Sequence, residues 1–122
     1  MTEYNSFEDM PVWQKPMDLA VKVHGLTERL PRKEDYGLTS QLRSSGLSVS
    51  GNISEGFGRK HTNDKLRFYY NARGSLAETK NHLIYGHQVG YFTVAEFKEY
   101  SNLISEIWKE LNSLINSLSR KP

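Results

Sequence analysis

Apolar residues recur along this chain at helical spacing in four separate stretches. In the first, from about Val12 to Leu30, Leu19, Val23, Leu26 and Leu30 step by four, three and four, and Trp13, Met17, Ala20 and Val21 broaden the stripe. Pro31 closes it, because proline lacks the N–H a helix interior requires. Pro16 belongs in a first turn or marks a kink, so the pattern predicts a start a few residues after Val12. The second stretch runs from about Leu38 to Phe57, with Leu38, Leu42, Val49, Ile53 and Phe57 on one stripe. Its middle, SSGLSVSGN, is mostly serine and glycine, and each glycine costs about 1 kcal/mol relative to alanine in a helix. Small residues let another backbone approach, so this face is predicted to be tightly packed.

The third stretch, from about Asn63 to Val89, carries Leu66, Tyr69, Ala72, Leu76 and Leu83, widened by Ala77 and Ile84. Thr62 or Asn63 is placed to cap its first turn, Asp64 suits the positive end of its dipole, and Gly90 is a C-terminal stop. The fourth, from about Val94 to Leu118, has the most regular seam: Phe97, Tyr100, Ile104, Ile107, Leu111, Leu114, Ile115 and Leu118, with Thr93 as N-cap. No strand-like alternation competes. The linkers Pro31–Gly37, Gly58–Thr62 and Gly90–Thr93 are short, which makes neighbouring helices antiparallel. The expected fold class is all-α, an antiparallel up-down-up-down four-helix bundle. It forms one domain over residues 1–122, with a core from about 7 to 118.

Composition changes this picture little. With 122 residues, 37% hydrophobic and 25% charged, the chain reads as one globular domain able to bury roughly two-thirds of its unfolded surface. There is no cysteine, so disulfides and thiolate metal sites are excluded, and a cytoplasmic location is the expectation. The polar, acidic N-terminus MTEYNSFEDM does not read as a signal peptide, and no apolar run approaches the roughly 18 residues of a membrane span. A net charge of +2 permits a nucleic-acid partner without demanding one.

The segment GNISEGFGRK, Gly51–Lys60, has the glycine spacing of a phosphate loop, but Phe57 stands where the phosphate-binding lysine must be. A helical pattern precedes it, whereas that loop follows a strand. The segment reads instead as a helix terminus, with Gly58 in a left-handed C-cap and Arg59 and Lys60 near the negative end of the dipole. Glu55 and Arg73 lie among apolar residues of the second and third helices. They are expected to meet as a partly buried ion pair that sets register, with Glu78 able to join the network; a catalytic carboxylate is the alternative.

His24, His61, His82 and His87 show no i, i+4 metal pair, and the E-x-x-H pairs of di-iron bundles are missing. No serine sits in G-x-S-x-G. Metal and cofactor are therefore expected to be absent, and an enzyme is disfavoured. The functional hint is basic: Arg59, Lys60, Lys65, Arg67 and Arg73 against one acid, Asp64, interleaved with Phe68, Tyr69 and Tyr70. Such a cluster can neutralise phosphates and stack on bases, or be an ordinary solvated helix end over core aromatics.

The run YGLTSQLRSSGLSVSGNISEGFGRK followed by RFYYNARGSLAETKNHL resembles the four-helix bundle proteins also called 23S rRNA intervening-sequence proteins. VWQK at Val12–Lys15 and VGYF at Val89–Phe92 are similar too, so the resemblance covers about Phe7 to Leu118. It matches signature positions at Tyr36, Gly37, Leu38, Gln41, Leu42, Arg43, Asn52, Glu55, Gly56, Arg59, Phe68, Ala72, Arg73, Gly74, Ser75, Leu76 and Glu78. The chain departs at Ser44, Ser45 and Gly46, where relatives often carry a further arginine and alanines, and near Ser50, where they often carry proline. The first departure removes charge from that face and so weakens the case for phosphate contact there. The resemblance implies a homopentameric ring and a similarity to retroelement accessory proteins that bind nucleic acid and a reverse transcriptase; it implies no catalytic residues.

These readings converge on a non-enzymatic oligomer that binds nucleic acid, RNA above DNA, through Arg43, Arg59, Lys60, Lys65 and Arg67. The alternative is an assembly or adaptor module with a protein partner, using the small residues of the second helix and the aromatics Tyr4, Phe7 and Trp13, expected to be exposed. An RNA-processing enzyme built on Glu55 is the third.

Overall fold

A computed structural model describes residues 4–120, and among them all regular structure is helical. The helices are α1 (Pro11–Thr27), α2 (Leu38–Phe57), α3 (Thr62–Gln88) and α4 (Val94–Ser119), with single 3-10 turns at Phe7–Asp9 and Arg32–Glu34. Each helix packs on its neighbours in the cyclic order α1, α2, α3, α4, with α4 closing back on α1. Antiparallel direction follows from the side-chain pairs, because positions rise in one helix as they fall in the next. Val23 meets Gly46 while Thr27 meets Arg43, and Ser48 meets Ser75 while Ser45 meets Thr79. Across α1 and α4, Lys15 pairs with Glu110 and Arg29 with Glu96. The up-down-up-down bundle is thus confirmed. Leu19, Val23, Leu42, Val49, Ile53, Leu76, Ile107 and Leu111 are fully enclosed at its axis.

The caps explain where helices begin and end. α4 starts with a complete capping box: the Glu96 N–H donates to Thr93 Oγ1 (3.1 Å), and the Thr93 N–H donates to Glu96 Oε1 (2.9 Å). α3 ends in a Schellman motif around Gly90, whose φ of +90° only glycine adopts freely. There the Tyr91 N–H reaches Gly86 O (2.8 Å) and the Gly90 N–H reaches His87 O (3.1 Å).

Three local expectations are corrected. α1 begins early rather than late, because Pro11 occupies its first turn and Met10 O accepts from Trp13 and Gln14; Pro16 therefore lies in the helix interior. At α3 the N-cap position is His61, with no side-chain cap, rather than Thr62 or Asn63. Gly58 is right-handed (φ −75°), so it supplies no left-handed cap to α2. Lys65 takes that role from α3: its Nζ donates to Gly56 O (3.3 Å) and Phe57 O (2.8 Å).

The weak helix propensity of α2 is offset by close packing on its inner face. Ser45, Gly46, Ser50 and Gly56 are buried. Gly46 lets Val23 of α1 approach, and Gly56 lies so close to Tyr69 of α3 that a Cβ there would fall 2.7 Å from the ring. A polar ladder completes the α2–α3 seam. Thr79 Oγ1 donates to Ser45 Oγ (3.0 Å), Ser75 Oγ to Ser48 Oγ (2.9 Å), and Asn52 Nδ2 to the same Ser48 Oγ (2.9 Å). Buried hydroxyls with partners avoid the desolvation penalty that unpaired ones carry.

Candidate functional site

The turn between α2 and α3 gathers most of the basic residues at one end of the bundle. Arg59, Lys60 and Arg67 are exposed there, and Phe68 is half-buried between them. The Arg59 and Arg67 guanidinium carbons each lie 4.8 Å from the centre of the Phe68 ring, so one aromatic face system holds two cations at the tip. Arg59 also donates to Glu55 Oε2 (2.7 Å), a solvent-exposed i, i+4 pair. No carboxylate of the described residues pairs with Lys60 or Arg67. Phe57 packs edge-on against Phe7 (6.4 Å between ring centres), which anchors the turn to the segment before α1.

The other proposed contacts separate from this tip. Lys65 is the α2 cap already described, and burial lowers its pKa from the ordinary 10.5. Arg43 stands near the opposite end of α2, about 24 Å from Arg59 along the helix. Its Nε donates to Thr27 Oγ1 (2.7 Å) and its Nη2 to His24 O (3.3 Å), joining α2 to α1. Arg43 and Lys65 are therefore held by the fold, and Arg59, Lys60 and Arg67 are the cations grouped at its surface.

The expected Glu55–Arg73–Glu78 network is not formed. Glu55 turns to Arg59, and Glu78 lies 3.7 Å from His82 Nε2. Arg73 points to α4 instead, where its Nη1 donates to Asn112 Oδ1 (2.9 Å) and its guanidinium lies over Tyr70 (5.1 Å) and Trp108 (5.8 Å). The reason is helical phase. Residues 69, 72, 76, 79 and 83 of α3 turn inward, so position 73 falls on the α4 flank and position 78 on the outer surface. Tyr4, Phe7 and Trp13 pack against the core. The large apolar side chains left exposed are others, among them Val21, Leu47 and Trp108. Sequence reasoning passed over Trp108, although its place one residue beyond Ile107, off the α4 seam, was a usable signal.

Among the described residues, no helix is long and apolar enough to cross a membrane, and no group of three His, Asp or Glu side chains is placed to hold a metal ion.

The family profile described as 23S rRNA-intervening sequence protein matches residues 8–113 of this chain. No curated protein matches it. Among solved structures, the chain is similar to a protein of unknown function from the S23 ribosomal protein family of Bacteroides thetaiotaomicron. That similarity has a TM-score of 0.77 at 23% identity, covering 85% of this chain and 97% of that one. At that identity the likeness speaks to the fold.

Proposed function

We propose that this chain, which belongs to the 23S rRNA-intervening sequence protein family, is a non-catalytic, oligomeric bundle that binds RNA through its α2–α3 tip. One observation carries the reading: two guanidinium groups flank Phe68 beside an unpaired Lys60. Cations around an aromatic are the means by which proteins hold phosphate and stack bases together. In a ring of five copies the tip would be repeated by symmetry, and several weak contacts to one strand would add.

The test is an RNA titration at 50 and 200 mM salt, run beside a measurement of absolute mass. Three phosphate contacts per protomer imply a log–log salt slope of about −2, or roughly fifteen-fold weaker binding across that range. Replacing Arg59, Lys60 and Arg67 together with alanine should remove most of that slope. An affinity indifferent both to salt and to these replacements would refute the reading.

A second reading, an assembly or adaptor module, is favoured by the opposite flank. Val21 (64% exposed) and Leu47 (58% exposed) stand with Met17 and Ala20 along an apolar groove between α1 and α2. On that reading the triple tip variant keeps its mass and its protein partner, whereas Val21→Glu with Leu47→Glu lowers the mass.

A further inference from the structure

The four carboxylates of α4 all lie on its α1 side. Glu96 pairs with Arg29, Glu99 with Lys22 (3.6 Å), and Glu110 with Lys15, whose pKa is also raised by Glu106. The opposite seam, between α3 and α4, is left with cations. Among the described residues, none of Arg73, Lys80 and Lys109 has a carboxylate within ion-pair distance. Between them is a groove of about 400 Å³ lined by Ala77, Lys80, Ile104, Ser105, Trp108 and Lys109. That volume is within the range of small-ligand sites. Its lining is mainly apolar, Trp108 is 39% exposed within it, and the two lysines complete the lining. Arg73 steadies the indole, being itself fixed to Asn112 and lying over Tyr70. Lys80 is held over the Phe97 ring at 5.3 Å, and among the described residues no carboxylate pairs with it.

We propose that this groove takes one unpaired base of a single-stranded nucleic acid, stacked on Trp108, with the flanking phosphates on Lys80 and Lys109. The inference rests on the nucleic-acid reading above and specifies its substrate. A flat π-system suits the indole, and a polyanion suits the unpaired lysines of the lining. A base inside a duplex is already stacked on both faces and cannot enter, so the groove selects single strands. It opens on the α4 flank of α3, about 15 Å along the helix from Arg67 to Ala77, which a few extended nucleotides span.

The experiment uses the full chain carrying Trp13→Phe, so that Trp108 is the only tryptophan. A twelve-residue oligoadenylate and a duplex of the same length are titrated in turn. Binding is read by anisotropy of an end-labelled strand, and stacking by Trp108 emission. The expected result is that the single strand binds and quenches Trp108, while the duplex does not quench. Lys80→Gln with Lys109→Gln should weaken single-strand binding about tenfold with unchanged helicity, as should Trp108→Leu if it folds. If the strand binds in a tip-dependent way without quenching Trp108 or sensing the lysine variant, the groove proposal falls and the tip reading stands. Equal quenching by the duplex overturns the single-strand assignment. No anisotropy change at either salt overturns both readings.

Discussion

Alanine placed at Gly51 should stabilise the bundle, whereas alanine at Gly56, also in α2, should leave it no more stable or destabilise it. Both substitutions gain about 1 kcal/mol of helix propensity. At Gly51 nothing lies within 4 Å of the added Cβ, so the gain is kept in the isolated bundle. At Gly56 the Cβ would fall 2.7 Å from Tyr69 Cε1, 3.1 Å from Tyr69 Cδ1 and 3.1 Å from Phe68 Cβ. Tyr69 is only 2% exposed, so its ring has little room to retreat. Overpacking of this kind costs about 1–3 kcal/mol. The propensity gain is common to both variants, so that overpacking cost is the whole expected separation between them. Urea unfolding followed at 222 nm measures it directly. A second readout comes from the Tyr69 phenol, which burial pushes up to about 12; a displaced ring should titrate at lower pH in Gly56→Ala than in Gly51→Ala. Equal midpoints for the two variants would refute the close-approach argument. A loss of stability at Gly51→Ala together with a lower mass would show instead that another copy covers that open face.

Other perturbations probe the charges. Hydrogen bonds from Arg29, then from the Thr93 backbone, hold the Glu96 carboxyl down at about 2, below its ordinary 4.5. Because the folded-state pKa is the lower one, its contribution is fully present above about pH 4.5 and is lost as pH falls toward 2. Urea midpoints taken across that window should drop for the native chain and drop less for Glu96→Gln. Thr93→Ala removes the acceptor of the capping box and should cost about 1 kcal/mol at neutral pH, read from the same unfolding curves. Arg43→Ala should destabilise the bundle by about 1–2 kcal/mol through its lost bond to Thr27 while leaving RNA affinity unchanged. A fall in RNA affinity with no loss of stability would return Arg43 to the binding surface.

How far each feature was legible depended on how local its cause is. The Thr93 start and the Gly90 stop are set within a few residues, and both were readable. The same local rules placed the end of α2 at Phe57 but assigned its cap wrongly, since Gly58 looks like a cap and Lys65, from the next helix, is the group that reaches the carbonyls. The basic tip was legible as a cluster in the chain. Which of its cations remain free at the surface was not, because Lys65 is engaged by carbonyls of the preceding helix, and Arg43, outside the tip, is tied to α1.

The sequence by itself determined four amphipathic helices, their approximate limits and, through short connections, their antiparallel order. Those follow from periodicity and turn chemistry, which act over a few residues. Only the tertiary structure decided the partners across helices: Arg73 with Asn112 and Trp108, and the acids of α4 with α1. Which flank of a helix a side chain occupies depends on its rotation about its own axis and its register against its neighbours. Packing of the whole core fixes both, and a one-residue change of phase of about 100° would have exchanged those partners.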